Sequence, residues 1–252
     1  TRRNVVPILV VTFFTELALG AEHTMEEILY SEVIRLEELT KESQYMWALP
    51  GMYVGLLLDL YWLKVRRWKI WKLFGIAFVS IAFYGMLMYF TLDMNVNIEQ
   101  YRLAIFLRGF AYATLSPALM WALNESVPSL EQFFMSLFVF NILHMYLAGA
   151  AGYGIYSTIF SHFLNENMMS YGQQLTITHL DMAHFDLGGY IGNDFLHSMM
   201  MVTIKQVYGY VIWFALSLAV IFMLCDIPAV RTNIRKVPRW SVYAIEYIAK
   251  RR

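Results

Sequence analysis

Six long apolar runs constrain the fold of this chain more than any other feature. They cover residues 5 to about 25, 45–63, 70–92, 101–123, 133–163 and 204–225. A bilayer core about 30 Å thick is crossed by about 20 apolar helical residues, so each run is long enough to span it. Hydrophobic residues make up 59% of the chain and charged residues only 15%, which leaves too little polar surface for a soluble fold of this size. The sequence therefore predicts an all-α, polytopic membrane bundle of six transmembrane helices.

The basic residues predict the orientation of this bundle. Most of the 19 Lys and Arg residues fall on one side, at the two ends of the chain and between the second and third runs. Short cytoplasmic loops carry an excess of Lys and Arg, and an even number of spans puts both ends on one side. We therefore expect an N-in, C-in topology. The longest polar segment, at residues 165–200, becomes an extended outside hairpin between the last two spans.

The opposite, outer side of the membrane is predicted to be acidic. Seven glutamates lie close together there: Glu22, Glu26, Glu27, Glu32, Glu37, Glu38 and Glu42. Two interpretations remain open. They form a solvated helix end and loop, as most charge runs do, or an outer vestibule that attracts cations or protons.

The predicted domain organisation has two parts. Residues 1–236 form the six-span bundle, and residues 237–252 form a cytoplasmic amphipathic tail. In this tail, aromatic residues such as Trp240 and Tyr247 alternate with basic residues such as Arg239 and Lys250. That mixture is typical of a helix lying at the level of the lipid headgroups.

Several function classes are disfavoured by what the sequence lacks. The single cysteine, Cys225, permits no intrachain disulfide and no Cys-rich metal site. His179 and His184 are five residues apart, so they do not give the i, i+4 pair of a zinc-binding helix. Serine hydrolase, Walker A and dinucleotide-binding signatures are absent. The balanced charge also disfavours a nucleic-acid binder. We predict no enzyme, no metal, no cofactor and no nucleic-acid partner.

Ionisable residues within the apolar runs are the candidate functional residues, because such groups are costly inside a bilayer. Glu16, Arg108 and His144 have similar predicted depths, roughly 16 to 20 Å from the inner face at 1.5 Å per residue. In the functional interpretation, Glu16 takes up and releases a proton, and Arg108 pairs with it or binds an anionic group. His144 and Asn141 then supply a second polar site of this cavity. The alternative is a buried ion pair or polar clamp that fixes helix packing.

A polar stripe on the first predicted helix suggests an outer proton path. Glu16, Gly20, His23 and Glu27 follow one another at helical spacing, so they lie along one face that runs outward. We assign His23 and Glu27 to this path. The equally open alternative is a helix end that has already left the membrane.

Two short motifs resemble those of the major facilitator superfamily. Gly51, Gly55 and Asp59, followed by the bases Lys64, Arg66 and Arg67, are similar to its cytoplasmic signature G-x-x-x-D-R-x-G-R-[KR]. Leu60 and Trp62 stand where the signature has Arg and its second Gly. The run Leu107-Arg108-Gly109, with Ala111 and Ala113, is similar to L-R-G-x-G-x-G of the fourteen-helix drug:proton antiporter branch. The order of these motifs, and the side of the membrane on which their loops are predicted to lie, resemble the C-terminal six-helix half of such a transporter.

This resemblance implies a function and a set of partners. The function is secondary active transport, with proton-coupled export of drug-like or amphiphilic small molecules by alternating access in the inner membrane. Asp59, Arg66 and Arg67 are then a cytoplasmic gating loop. The implied partners are the N-terminal half of the same transporter, encoded upstream, together with the lipid bilayer, protons and the substrate. By analogy, a periplasmic adaptor protein docks on the outside hairpin.

A second function class stays open beside transport. The chain is then a non-transporting integral membrane scaffold, or an assembly factor of an envelope complex. Its charged outside segments would serve as contact surfaces. Substrate-dependent proton flux and the substitution Glu16→Gln separate the two classes, because the substitution keeps the size of the side chain and removes its titration.

Overall fold

The computed structural model of the chain describes residues 5–65, 70–93, 98–126, 130–142, 149–174 and 190–225. These residues are almost entirely helical and contain no strand, which confirms the all-α prediction for this part of the chain. We number the α-helices in chain order: α1 Val5–Ile28, α2 Glu38–Tyr45, α3 Ala48–Leu60, α4 Ile70–Thr91, α5 Arg102–Ser126, α6 Leu130–Ile142, α7 Gly149–Gln174 and α8 Tyr190–Cys225. Short π-helical turns, Leu29–Val33 and Tyr61–Val65, extend α1 and α3.

Four helical stretches of the described residues are long and apolar enough to cross a bilayer: Glu38–Leu63, Ile70–Thr91, Ile98–Met120 and Phe195–Leu224. They match the second, third, fourth and sixth predicted runs. Large apolar side chains, such as Phe90 at 78% and Trp213 at 73% exposed, lie on their outer surfaces. The length and apolar composition of these helices are those of a membrane protein. The count of six spans and the N-in, C-in topology stay predictions.

The first and fifth predicted runs are not among these four stretches of the described residues. Helix α1 covers the first run and continues to Ile28, beyond the predicted end near residue 25. Of the fifth run, the described residues belong to α6, Leu130–Ile142, and to α7, which begins at Gly149. Both ends of the predicted outside hairpin are helical, since α7 reaches Gln174 and α8 begins at Tyr190. The predicted tail at 237–252 lies outside the described residues.

Helices α3 and α5 pack backbone against backbone. A Cβ atom added at Gly51 would overlap the carbonyl oxygen of Phe106. One added at Gly109 would overlap the carbonyl oxygen of Ala48. Glycine allows such close approach because it has no side chain, as in other membrane helix pairs. The contact fixes the position of Gly109, and therefore of its neighbour Arg108, against α3.

The contacts also give the relative directions of α3 and α5. Gly51 of α3 faces Phe106 of α5, and Gly55, one turn later, faces Ala113. Later residues of one helix meet later residues of the other, so the two helices run in the same direction.

Helix α4 packs between α5 and α8. It is the most enclosed of the four candidate spans, because 61% of the residues in its most apolar 18-residue stretch are buried. The rings of Phe78 and Phe222 stack at 5.4 Å between centroids, and the hydroxyls of Tyr84 and Tyr208 are 3.0 Å apart. Later residues of α4 thus meet earlier residues of α8, and the two helices are antiparallel.

Helix α7 joins α1 to α8 on the other side of the bundle. A Cβ atom at Gly20 of α1 would lie 3.3 Å from the Cα atom of Gly152, so these two helices also approach closely. The amide of Asn167 donates a hydrogen bond to the Thr203 hydroxyl at 3.0 Å, which ties α7 to α8.

Two glycine substitutions should have opposite effects on thermal stability. Gly109→Ala places a methyl group on the Ala48 backbone, and we expect a loss of about 1–3 kcal/mol, typical of overpacking. At Gly209 an added Cβ meets no atom within 4 Å. Gly209→Ala should therefore raise stability, by up to about 1 kcal/mol, through helix propensity. Melting temperatures of the two variants in detergent test this. Equal shifts would contradict the close α3–α5 contact.

Candidate functional site

An ion pair between Glu26 of α1 and Arg108 of α5 is the centre of the candidate site. The Arg108 Nη1 atom donates to the Glu26 Oε2 atom. The Glu26 side chain is fully buried, and the Arg108 side chain is 18% exposed. A buried carboxylate is unfavourable unless a cation and hydrogen bonds compensate its charge, so each partner depends on the other.

Two tyrosines complete the surroundings of the carboxylate. The Tyr84 hydroxyl of α4 donates to the Glu26 Oε1 atom at 2.7 Å, and the Tyr208 hydroxyl of α8 lies 3.0 Å from that of Tyr84. Both tyrosines are fully buried. Each carboxylate oxygen of Glu26 therefore has a donor, and α1, α4, α5 and α8 meet in one polar network.

This network lies near the middle of the candidate spans. Arg108 and Tyr208 are within two residues of the centres of Ile98–Met120 and Phe195–Leu224. Tyr84 is within four residues of the centre of Ile70–Thr91. Because Glu26 contacts Arg108 and Tyr84, it lies at the same level. Its charge is thus held deep in the bundle rather than at a hydrated helix end.

Aromatic rings cover the pair on the side of α2. The Arg108 guanidinium carbon lies 5.4 Å from the centroid of the Tyr45 ring, a distance at which cation–π attraction contributes. Tyr45 packs edge-on against Tyr30 at 5.9 Å, and Tyr30 against Tyr101 at 6.3 Å. These rings enclose the polar network on that side.

A cavity of about 400 Å³ borders Arg108 and Tyr45. It lies where the α1–α7 pair and the α3–α5 pair diverge, and its volume is within the usual range for sites that bind small molecules. Its walls are mainly apolar and aromatic. The lining residues are Leu19, Gly20, His23, Thr24, Tyr45, Ala48, Met52, Arg108, Gly109, Tyr112 and Tyr153.

Two of the predicted site residues line the cavity: Arg108, predicted as a cavity residue, and His23, predicted for the outer proton path. The acid that Arg108 contacts is Glu26, whereas a pairing with Glu16 was predicted. Glu16 lies ten residues earlier on α1, about 15 Å along the helix axis. Its side chain is outside the described residues, and its proposed role stays a prediction. Asn141 is exposed on α6, and His144 is not among the described residues.

Glu27 of the predicted outer path and Asp59 of the predicted gating loop are both among the described residues. Glu27 accepts a hydrogen bond from Lys41 at 2.6 Å and one from Ser31 at 2.9 Å, so it ties α1 to α2. Asp59 is 2% exposed, and neither carboxylate oxygen has a hydrogen-bond partner within the described segments. Arg66 and Arg67 lie outside those segments.

The sequence did contain a signal for Glu26. Leu29, Tyr30 and Val33 follow it at i+3, i+4 and i+7, which puts the carboxylate on the apolar face of the helix. We had instead grouped Glu26 with the outer acidic residues. Tyr84 and Tyr208 gave no comparable signal, because tyrosine is common in apolar runs.

The described segments contain no group of three or more His, Cys, Asp or Glu side chains that could hold a metal ion. Comparison with known proteins gave no match, whether with family models, curated proteins or solved structures. The similarity to the major facilitator superfamily therefore rests on the sequence motifs and stays a prediction.

A double-mutant cycle should detect the dependence of Glu26 and Arg108 on each other. Glu26→Leu or Arg108→Met alone leaves an uncompensated buried charge, and we expect each to lower the free energy of unfolding by about 3–5 kcal/mol. The double variant should lose less than either single one. Reversible unfolding in mixed detergent micelles measures this.

The pair Glu99–Arg102 supplies the matched control, since its side chains are 62% and 38% exposed. Glu99→Gln should change stability by less than about 1 kcal/mol. Additive losses at Glu26 and Arg108 that are as small as the change in Glu99→Gln would contradict the buried network.

Proposed function

We propose that the chain is one half of a proton-coupled secondary transporter of amphiphilic small molecules, similar to the major facilitator superfamily. Glu26 carries the coupling proton, and the cavity beside Arg108 holds the substrate. The observation that supports this most strongly is the buried Glu26–Arg108 pair at mid-span, next to that cavity. Intramembrane charges that adjoin a cavity are the usual sites of proton coupling.

The helix directions support the same proposal. In an alternating order of six spans, the second and fourth run in the same direction, as α3 and α5 do. The third and sixth run in opposite directions, as α4 and α8 do. These agreements favour one further crossing between α5 and α8, as in the predicted six-span order.

The pair provides a two-state element for coupling. With Glu26 ionised, the carboxylate and the guanidinium neutralise each other and hold α1 against α5. Protonation removes the negative charge of Glu26 and so weakens this attraction. The Arg108 guanidinium can then interact with a substrate in the cavity. A change in protonation therefore alters both the contact between two helices and the electrostatic potential at the substrate site, as alternating access requires.

Proton flux in liposomes tests the proposal. The full-length protein is reconstituted with a pH-sensitive dye inside. Two probes with permanent charges are then added, naphthalene-2-sulfonate and trimethyl(2-naphthylmethyl)ammonium. We expect at least one of them to drive proton movement. Glu26→Gln should abolish this movement, because the amide cannot titrate, and should retain exchange of labelled probe across the membrane. Retained exchange shows that the variant is folded.

Glu32→Gln is the matched control, because Glu32 lies in the same acidic segment but is exposed. It should leave proton flux unchanged. If neither probe moves protons in the unaltered protein, the transport proposal fails and the membrane scaffold is favoured. Full flux in Glu26→Gln would remove Glu26 from the coupling role, and Glu16→Gln would then be the next substitution to measure.

A further inference from the structure

We infer that the cavity beside Arg108 binds an aromatic organic anion, whose acidic group replaces Glu26 as the partner of Arg108. The inference rests on the proposed function in taking this cavity as the substrate site. It goes beyond that proposal in naming the charge and shape of the substrate. It also gives the sign of the coupling, since anion and proton bind together.

The charge of the cavity wall is the first argument. Among the described lining residues, the side chains that can carry a charge near neutral pH are Arg108 and His23, and none is a carboxylate. Glu26 is fully buried and is not a lining residue, so the ligand meets the guanidinium. A guanidinium is charged at every physiological pH and forms a planar fork that matches a carboxylate, sulfonate or phosphate. Once Glu26 is protonated, it no longer neutralises the positive charge of Arg108, and an organic cation is then repelled by this wall.

The body of the cavity supplies the second argument. Beside Arg108, its wall includes Tyr45, Tyr112, Tyr153 and Met52. Aromatic faces and a thioether favour a flat, apolar ligand over a compact hydrated ion such as inorganic phosphate. A volume of about 400 Å³ accommodates an aromatic acid of modest size.

Glu26 contacts Arg108 but does not line the cavity, and this arrangement couples protonation of Glu26 to ligand binding. If the ligand's acidic group takes over Arg108, an ionised Glu26 is left buried without its cation, which is strongly unfavourable. A proton on Glu26 removes this penalty, because the neutral acid needs no counter-charge and can still accept from Tyr84. Protonation and anion binding therefore favour each other. The transport that results is co-transport of a proton with the anion, in contrast to the exchange of drug for proton that the resemblance implies.

Within the described part of the chain, the titratable side chains around Glu26 are Arg108 on α5 and the tyrosines of the neighbouring elements: Tyr30, Tyr45, Tyr84 and Tyr208. Neither arginine nor tyrosine ordinarily changes charge near neutral pH. His23, three residues earlier on α1, belongs to a residue type that does. The substitution His23→Gln therefore separates its contribution from that of Glu26.

Equilibrium binding to the full-length protein in detergent tests the inference, with naphthalene-2-sulfonate and trimethyl(2-naphthylmethyl)ammonium as a matched pair. We expect the sulfonate to bind at least about tenfold more tightly than the ammonium, and to bind more tightly as the pH falls, by up to about tenfold per pH unit. Glu26→Gln, which mimics the protonated acid, should tighten sulfonate binding and remove its pH dependence. A misfolded variant could not give tighter binding.

Two further variants complete the experiment. Glu26→Gln combined with Arg108→Gln avoids an unpaired buried charge, and it should weaken sulfonate binding at least about tenfold. His23→Gln should retain the pH dependence. Tighter binding of the ammonium, unchanged sulfonate binding in the double variant, or loss of the pH dependence in His23→Gln would each overturn the inference.

Binding and flux together separate this inference from the proposed function. Sulfonate binding without proton flux in liposomes would retain the anion site and reject transport. Proton flux driven by the ammonium, with no sulfonate binding, would retain transport and reject the anion site.

Discussion

The buried ion pair between Glu26 and Arg108 is the contact on which the rest of the site depends. A carboxylate with no exposed surface, at the middle of an apolar bundle, is tolerable only when its charge and both oxygens are compensated. Arg108 compensates the charge and one oxygen, and Tyr84 donates to the other. These partners come from different helices. The polar network therefore selects one arrangement of α1, α4 and α5, because any other arrangement would leave a charge alone in an apolar interior.

The packing of the apolar helices sets the geometry of this pair. Backbone contact at Gly51 and Gly109 holds α3 against α5 and places Arg108 at a fixed height and angle. The α1–α7 pair approaches from the other side through Gly20 and Gly152. Where the two pairs diverge, a cavity remains with the guanidinium in its wall. A proton on Glu26 would thus change a helix contact and the charge felt by a ligand at the same time, which is the physical basis of the proposed coupling.

The sequence allowed much of the fold to be predicted, because apolar runs of helical length leave few alternatives in a bilayer. It also singled out Arg108 and His23, which line the cavity. The partner of Arg108 was missed, since the first apolar run ends at Met25 by hydropathy while α1 continues to Ile28. The charge of Glu26 is compensated by a residue 82 positions later, and no local pattern reveals a contact at that separation.

The most direct test of this account is the distance between the Glu26 carboxyl carbon and the Arg108 guanidinium nitrogens in a lipid bilayer. Solid-state NMR measures it in the full-length protein through carbon–nitrogen dipolar dephasing, with the Glu26 signal identified by its absence in Glu26→Gln. We predict strong dephasing of a carboxyl signal that has no contact with water, because the carboxylate contacts the guanidinium in the bundle interior. A Glu26 signal that shows no dephasing by arginine nitrogen and exchanges magnetisation with water would contradict the account, since Glu26 would then lie on the hydrated outer surface.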